Sequence, residues 1–354
     1  MKNAKKLILV LVMLLSLVCP AATVAAAGPR ELDIGDLPEW EMRLSSQSGR
    51  LLFSDSPEMV NRDGILYRDQ VEGAGRLFFH HVNADAVAKR LEVLVENKSS
   101  KVARVAVRQY GLGGPGYAWM AIGKETLTSY LAGSQPYELA IPPGGAVPLS
   151  AVISETAVLP NMLISGMFDF TADRPVTVTV LMLPLLEDGA AFARTARVLA
   201  PDEYHLRGTF EGADRKLVAA SPYDPAEDGP VALTLGDNQI DRYLTGVDAT
   251  NGKPVINYGN YGVVYQLVIP SKSGGKIAYY LAPRGGEYAG AIGIDHPDAT
   301  WRSVATPMGR VHFGTNRAED FAFLGTYDSG ETMVFTFSPP GASNLPVKIV
   351  VLPQ

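Results

Sequence analysis

Three stretches of this chain hold residue types that could do chemistry. The first is Gly111-Leu112-Gly113-Gly114-Pro115-Gly116, which matches Gly-x-Gly-x-x-Gly. In a dinucleotide site that loop follows a buried parallel strand and opens a helix whose amides face a pyrophosphate. Here the preceding strand alternates, with Ala103, Val105 and Val107 on one face and Arg104, Ala106 and Arg108 on the other. That is a half-buried antiparallel strand. Pro115 also removes an amide from a loop meant to donate them. A glycine-rich turn after an antiparallel strand is the better reading. Gly123-Lys124-Glu125 fails as a phosphate loop, because Ala118 stands where the upstream glycine belongs and Glu125 where Ser or Thr should hold magnesium.

The second stretch is His80-His81. Neighbours on a strand point to opposite faces, so the pair is a poor chelate for one metal. His205, His296 and His312 are scattered, and no metal ligand set is assigned. Asp224-Pro225-Ala226-Glu227-Asp228-Gly229 and Asp248-Ala249-Thr250-Asn251-Gly252 are acidic turns without the Asp-x-Asp-x-Asp-Gly spacing of a calcium loop. A lone structural calcium stays open without a motif to support it. No cofactor is assigned. There is no Gly-x-Ser-x-Gly, Ser-x-x-Lys or His-Glu-x-x-His, so no catalytic residue is named. Some carboxylate pair formed only on folding would be needed for a glycan hydrolase.

The third stretch is Asn257-Tyr258-Gly259-Asn260-Tyr261-Gly262, followed by Tyr279, Tyr280, Arg284 and Tyr288 on the next strand and turn. Alternating tyrosines near glycine turns can form a platform that stacks on sugar rings or grips a partner. Tyr258, Tyr261, Tyr279, Tyr280, Arg284 and Tyr288 are therefore the candidate binding residues. The competing reading is that tyrosine is simply a favoured strand residue.

The elements that must carry these residues are mostly strands. Lys2, Lys5 and Lys6 precede an apolar run from Leu7 to Val18, and Ala25-Ala26-Ala27 offers a small-residue cleavage site. Residues 1–27 thus read as a secretory signal peptide, too short to span a membrane. Cys19, the one cysteine, lies inside it, and Val18 before it is too large for a lipoprotein signal. The mature chain then has no disulfide and no thiol chemistry, which fits a bacterial envelope better than a eukaryotic extracellular protein. The Asn97-Lys98-Ser99 sequon becomes a turn and not a glycan acceptor.

Residues 1–27 hold three lysines and no acid, leaving 28 basic against 37 acidic residues, a balance of −9. That argues against nucleic acid as a partner. No later stretch is long and apolar enough to span a membrane. Glycine and proline, 35 and 25 of them along the whole chain, mark many turns.

The expected fold is all-β, mostly antiparallel, with one or two short helices, arranged as two tandem β-sandwich-like domains. An extended arm covers 28–48, the first domain 49–186, a linker helix 187–200 and the second domain 201–354. Short helices are expected near Lys124–Leu131 and over Gly189–Val198. Leu91 to Ala103 resembles Tyr265 to Ala278, each a strand, a Lys/Ser turn and a returning strand. Pro175 to Pro184 likewise resembles Pro346 to Pro353, an offset close to the first, so a tandem repeat is expected. One continuous β-architecture is the alternative.

Leu52-Phe53-Ser54-Asp55-Ser56-Pro57-Glu58, Gly64-Ile65-Leu66-Tyr67-Arg68-Asp69, the Asn257–Gly262 stretch and Phe337 to Pro346 together resemble a group of exported bacterial proteins. That group is often labelled by an attached copper amine oxidase N-terminal-like domain, which is not visible in this chain. The resemblance implies an envelope location and a non-catalytic role, and no copper. The expectation is a secreted or cell-surface bacterial module that binds cell-wall glycan or another envelope protein. The alternative is an extracellular glycan-active hydrolase, and the balance is against an enzyme.

Overall fold

The computed structural model describes residues 32–297, 299–316 and 319–354. The signal-peptide and lipidation readings fall outside these residues. The order of elements is β1 (Met42–Ser54), β2 (Met59–Val60), β3 (Gly64–Asn83), β4 (Lys89–Glu96), β5 (Ala103–Gly116), α1 (Trp119–Ala132), β6 (Tyr137–Ile141), β7 (Ala146–Pro148), α2 (Ala151–Glu155), β8 (Leu163–Pro184), α3 (Gly189–Thr195), β9 (Arg207–Ala219), β10 (Val231–Leu235), β11 (Thr245–Asp248), β12 (Lys253–Ile256), β13 (Val264–Pro270), β14 (Lys276–Pro283), β15 (Gly290–His296), β16 (Ala299–Thr306), β17 (Ala322–Asp328), β18 (Thr332–Phe337) and β19 (Val347–Pro353). The fold is all-β, with three helices among the described residues, the longest of which, α1, packs on β5.

In the first half, β3 and β8 are long enough to serve two faces. Their pairing slips between Val71 and Gly73, where Gly73 takes φ 79°, a conformation glycine adopts at no steric cost. Beyond that bend β8 pairs with β5, and before it with β4. The two ends of the bent strands face each other and enclose Leu77, Phe79, Val93, Val105, Phe168 and Val178. In the second half, β9, β13, β18, β15 and β16 lie over the four-stranded sheet β10-β19-β14-β17. Tyr265, Leu267, Tyr279, Phe335 and Ile349 fill the space between. Each such side chain contributes roughly 1.5–3 kcal/mol on burial.

The halves share one sheet. β1 pairs in parallel with β3, Leu51 opposite Arg76, and antiparallel with β9, Leu51 opposite Phe210. Arg76 adds a buried cross-tie. Its guanidinium bonds Asp169 on β8 at 2.6 Å, Asp214 on β9 at 2.8 Å and the hydroxyl of Tyr130 on α1 at 3.3 Å. Strand pairing thus runs across the 187–200 segment, and the second-half core takes in Leu51, Phe53, Phe78, Leu127, Tyr130, Leu131 and Met167 of the first half, which also has a core of its own.

Several expectations are corrected. The described part of the 28–48 stretch, expected as an extended arm before the first domain, packs on the second half. Ile34 packs on Ala278, Ala282, Val350 and Leu352, on the outer face of the four-stranded sheet, and β1 already begins at Met42. Residues 111–116 are not a turn but the end of β5. A β-carbon on Gly111 or Gly113 would overlap the carbonyl of Thr126 or Ile122, so the glycines let α1 lie directly on the strand. That helix starts five residues before the expected Lys124. The Asn97–Ser100 turn is not a hairpin. β4 and β5 do not pair with each other, and the turn carries the chain from one face to the other. The Asn97 amide, fully buried, donates to the carbonyls of Lys101 and Ile141 and holds that corner. The Lys272–Gly275 turn makes the same kind of crossing, from β13 to β14. The terminal strands of the suspected repeat differ, however. The end of β8 lies between β4 and β3, whereas β19 lies between β14 and β10, and β14, unlike β4, follows the Lys/Ser turn.

Candidate functional site

The groove that could take a ligand lies where the inter-half segment 201–205 meets the β11–β12 hairpin. It encloses about 570 Å³, in the range of small-molecule and glycan sites. Tyr204, 65% exposed, and Tyr258, 51% exposed, both line it, together with Glu203, His205, Asn251 and Lys253.

Both walls are fixed from beneath. Asp202 is the pin of the first. Its carboxylate accepts from Ser56 Oγ at 2.8 Å and from the amides of Glu58, Tyr204 and His205 at 2.9, 3.1 and 3.3 Å. An Asp bonding amides two and three residues on makes a turn, and His205 closes it at φ 53°. Tyr204 is thereby displayed outward. The floor is Asp248, which is buried. It pairs with Arg207 at 2.8 Å and accepts from the Thr250 amide and Asn251 Nδ2. The Asp248 turn is thus filled by its own chain.

The second wall explains the Asn-Tyr-Gly-Asn-Tyr-Gly sequence. Asn257 and Asn260 are fully buried. Asn257 exchanges bonds with the backbone of Tyr261, and Asn260 accepts from the Leu244 amide while donating to the Tyr265 hydroxyl at 2.8 Å. Asn260 and the two glycines take positive φ. Tyr261 turns inward, donating to the Ser343 carbonyl at 2.6 Å and stacking 6.4 Å from Phe53. Only Tyr258 points out, braced edge-on by Tyr243 at 6.0 Å.

The other candidate residues do not join it. Tyr279 and Tyr288 are buried in the core of the second half. Tyr280 lies on the outer face of the four-stranded sheet against Phe321 and Phe323, near the covering 32–37 segment. Arg284 follows at the end of β14 and donates to the Pro283 carbonyl. No single tyrosine platform forms among them, because Tyr279 and Tyr288 face the core while Tyr280 lies on the opposite face of the sheet. Tyr204, His205 and Glu203 were missed, although a tyrosine just after Pro201-Asp202, outside any strand pattern, has no strand reason to be there.

The histidine pair splits as its strand period requires. His80 stacks on Phe78 beside Gly341 with neither ring nitrogen hydrogen-bonded. His81 faces the other way. Its Nδ1 donates to the Pro57 carbonyl at 3.0 Å and its Nε2 accepts from Ser54 Oγ at 2.8 Å, the tautomer being set by the carbonyl. This is the hydrogen-bond order of a Ser–His nucleophile. Both side chains are fully buried, however, so no substrate reaches them. Among the described residues no cluster of three His, Cys, Asp or Glu could hold a metal.

Asp55, next to Ser54, keeps part of its surface in solvent, but its Oδ1 is sealed off without a partner. Burial, then Glu58 and Asp202, push its carboxyl well above the usual range. A raised folded-state value means that the unfolded chain ionises first. Asp55 therefore costs stability as pH rises above about 4. Asp55→Asn is expected to raise the urea midpoint at pH 7. A lower midpoint would show the carboxylate is stabilising after all.

No family model and no curated protein matches the chain. Among solved structures, the CUB1-EGF-CUB2 domains of rat MASP-1 align over 87% of this chain and 98% of theirs, at 9% identity and a TM-score of 0.22. A Paenibacillus xanthan lyase aligns over 91% of this chain and 27% of its own, at 9% identity and 0.19. The oxalate decarboxylase of Lactobacillus farciminis aligns over 91% and 86%, at 9% and 0.15. Likeness at this level carries no residue, ligand or activity across.

Proposed function

We propose that the protein is an exported, non-catalytic envelope module that binds a glycan chain in the groove between residues 201–205 and the β11–β12 hairpin. The observation that carries this reading is the pair of outward tyrosines, Tyr204 and Tyr258, each half or more exposed in the lining of one groove. Tyrosine rings offer flat apolar faces for the C–H surface of a sugar, and the polar groups between them can meet hydroxyls. The support beneath both walls is fully hydrogen-bonded, so little order has to be acquired on binding.

The hydrolase reading needs two working carboxyls. Glu203 is free of ion pairs among the described residues, but Asp248, the other acid lining the groove, is committed to Arg207. That favours binding over cleavage. Export and a wall location rest on the N-terminal pattern and the family resemblance.

The test is co-sedimentation of residues 28–354 with purified cell-wall sacculi. Saturable binding is expected, and Tyr204→Ala or Tyr258→Ala should each weaken it roughly tenfold, with the unfolding midpoint little changed. Wild-type affinity in both variants would remove the groove from the account. Release of reducing ends during incubation would replace binding by hydrolysis.

A further inference from the structure

A second aromatic lies on a different surface. On β16 the side chains of Arg302 and Val304 point into the sandwich. Arg302 donates to the Leu324 carbonyl and the Tyr327 hydroxyl, and Val304 belongs to the core. By the two-residue period, Trp301 and Ser303 face outward. Ser303 is paired with Gly293, Gly293 with Thr336, and Thr336 with Gln266, so one row of small and uncharged polar residues crosses four strands.

Trp301 leans onto that row. The Cζ2 and Cζ3 atoms of its ring lie 2.7 and 3.1 Å from where a β-carbon on Gly293 would stand. Any other residue at 293 would lift the ring, so glycine lets the indole rest against the sheet. The outer side remains in solvent, with Trp301 46% exposed. A lone exposed apolar residue normally calls for no explanation. This one has a seat built under it, and the row beside it supplies hydroxyls and an amide, with the exposed Asp295 and with Val334 on the same face and Lys216 beyond Gln266.

We propose that Trp301 is the centre of a second sugar-binding surface, on which the indole stacks against the C–H face of a neutral pyranose ring of a wall glycan. Ser303, Thr336 and Gln266 supply hydrogen bonds to its hydroxyl or amide substituents. The surface shares no residue with the groove. Two separate weak contacts on one polysaccharide strand give avidity that neither gives alone.

The test uses residues 28–354, purified sacculi and the soluble N-acetylglucosamine tetramer. Trp301→Ala is expected to weaken sacculus binding roughly tenfold. Gly293→Ala, which keeps the tryptophan but displaces its ring, should weaken it in the same direction. The tetramer should shield tryptophan emission from acrylamide in the wild type and lose that effect in Trp301→Phe. Wild-type sacculus binding by Trp301→Ala overturns the proposal, as does no binding by the wild-type protein. If Trp301→Ala binds normally while Tyr258→Ala does not, the groove stands alone. The opposite result removes the groove and leaves this surface.

Discussion

Arg207→Ala is expected to cost about 3–5 kcal/mol, the range for removing one partner of a buried ion pair. Arg207 is almost wholly buried, as is Asp248 at 2.8 Å. Its other nitrogens donate to the carbonyls of Ser56, Leu66 and Leu199 and to Thr250 Oγ1. Truncation strands a carboxylate and three carbonyls at the point where β1, β3, the inter-half segment and the β11 turn converge. Domains of this kind hold only about 5–15 kcal/mol in all, so the loss is a large share. Urea denaturation at neutral pH measures it. Arg207→Lys should recover little, because an ammonium cannot reach the same fork of acceptors. The pair Arg207→Met with Asp248→Asn should recover more, because it leaves no unpaired charge. A loss under 1 kcal/mol for Arg207→Ala would mean that the network is held by its hydrogen bonds without the cation.

The same residues show what was legible in the sequence. The strand over 103–110 followed from alternation alone, and Ala103, Val105 and Val107 are buried while Arg104 and Arg108 are exposed. Asn257–Gly262 is the most distinctive local sequence, and the structure divides its two tyrosines between surface and core. A motif with positive-φ positions needs asparagine and glycine for its turns, and it spent Tyr261 on the core. Tyr279 and Tyr288 were misplaced for a longer-range reason. Both lie in the inter-sheet core, Tyr279 against Phe335 and Tyr288 against Phe313, and which face of a strand meets a second layer is not a local property; the 32–37 segment covers the opposite face, with Tyr280. Gly111 and Gly113 match a dinucleotide loop because close approach of a helix and close approach of a pyrophosphate both demand a missing β-carbon. Trp301 and Gly293 are on different strands, so no local pattern joined them.

Acid should destabilise this protein earlier than its carboxylates alone would, and His80 and His81 are the reason. Burial holds His80 down at about 3, with His81 adding to it. Burial likewise holds His81 down at about 4, against the bond to Pro57. The unfolded chain protonates these rings near pH 6.5, whereas the folded chain does not until well below that. The unfolded state therefore binds more protons across the window from about 6.5 down to about 4, and stability falls with pH throughout it. At about 1.4 kcal/mol per pH unit for each ring, the loss reaches several kcal/mol. Asp55 works the other way, because its raised carboxyl is relieved on acidification, so Asp55→Asn should steepen the fall. His80→Leu isolates one ring. Neither nitrogen of His80 has a partner, so the variant is expected to match or exceed wild-type stability at pH 7 and to lose about half of the slope between pH 6.5 and 4. Urea midpoints at half-unit pH steps give both numbers. An unchanged slope would mean that His80 is already charged in the folded protein, or that its surroundings hold water enough to solvate it.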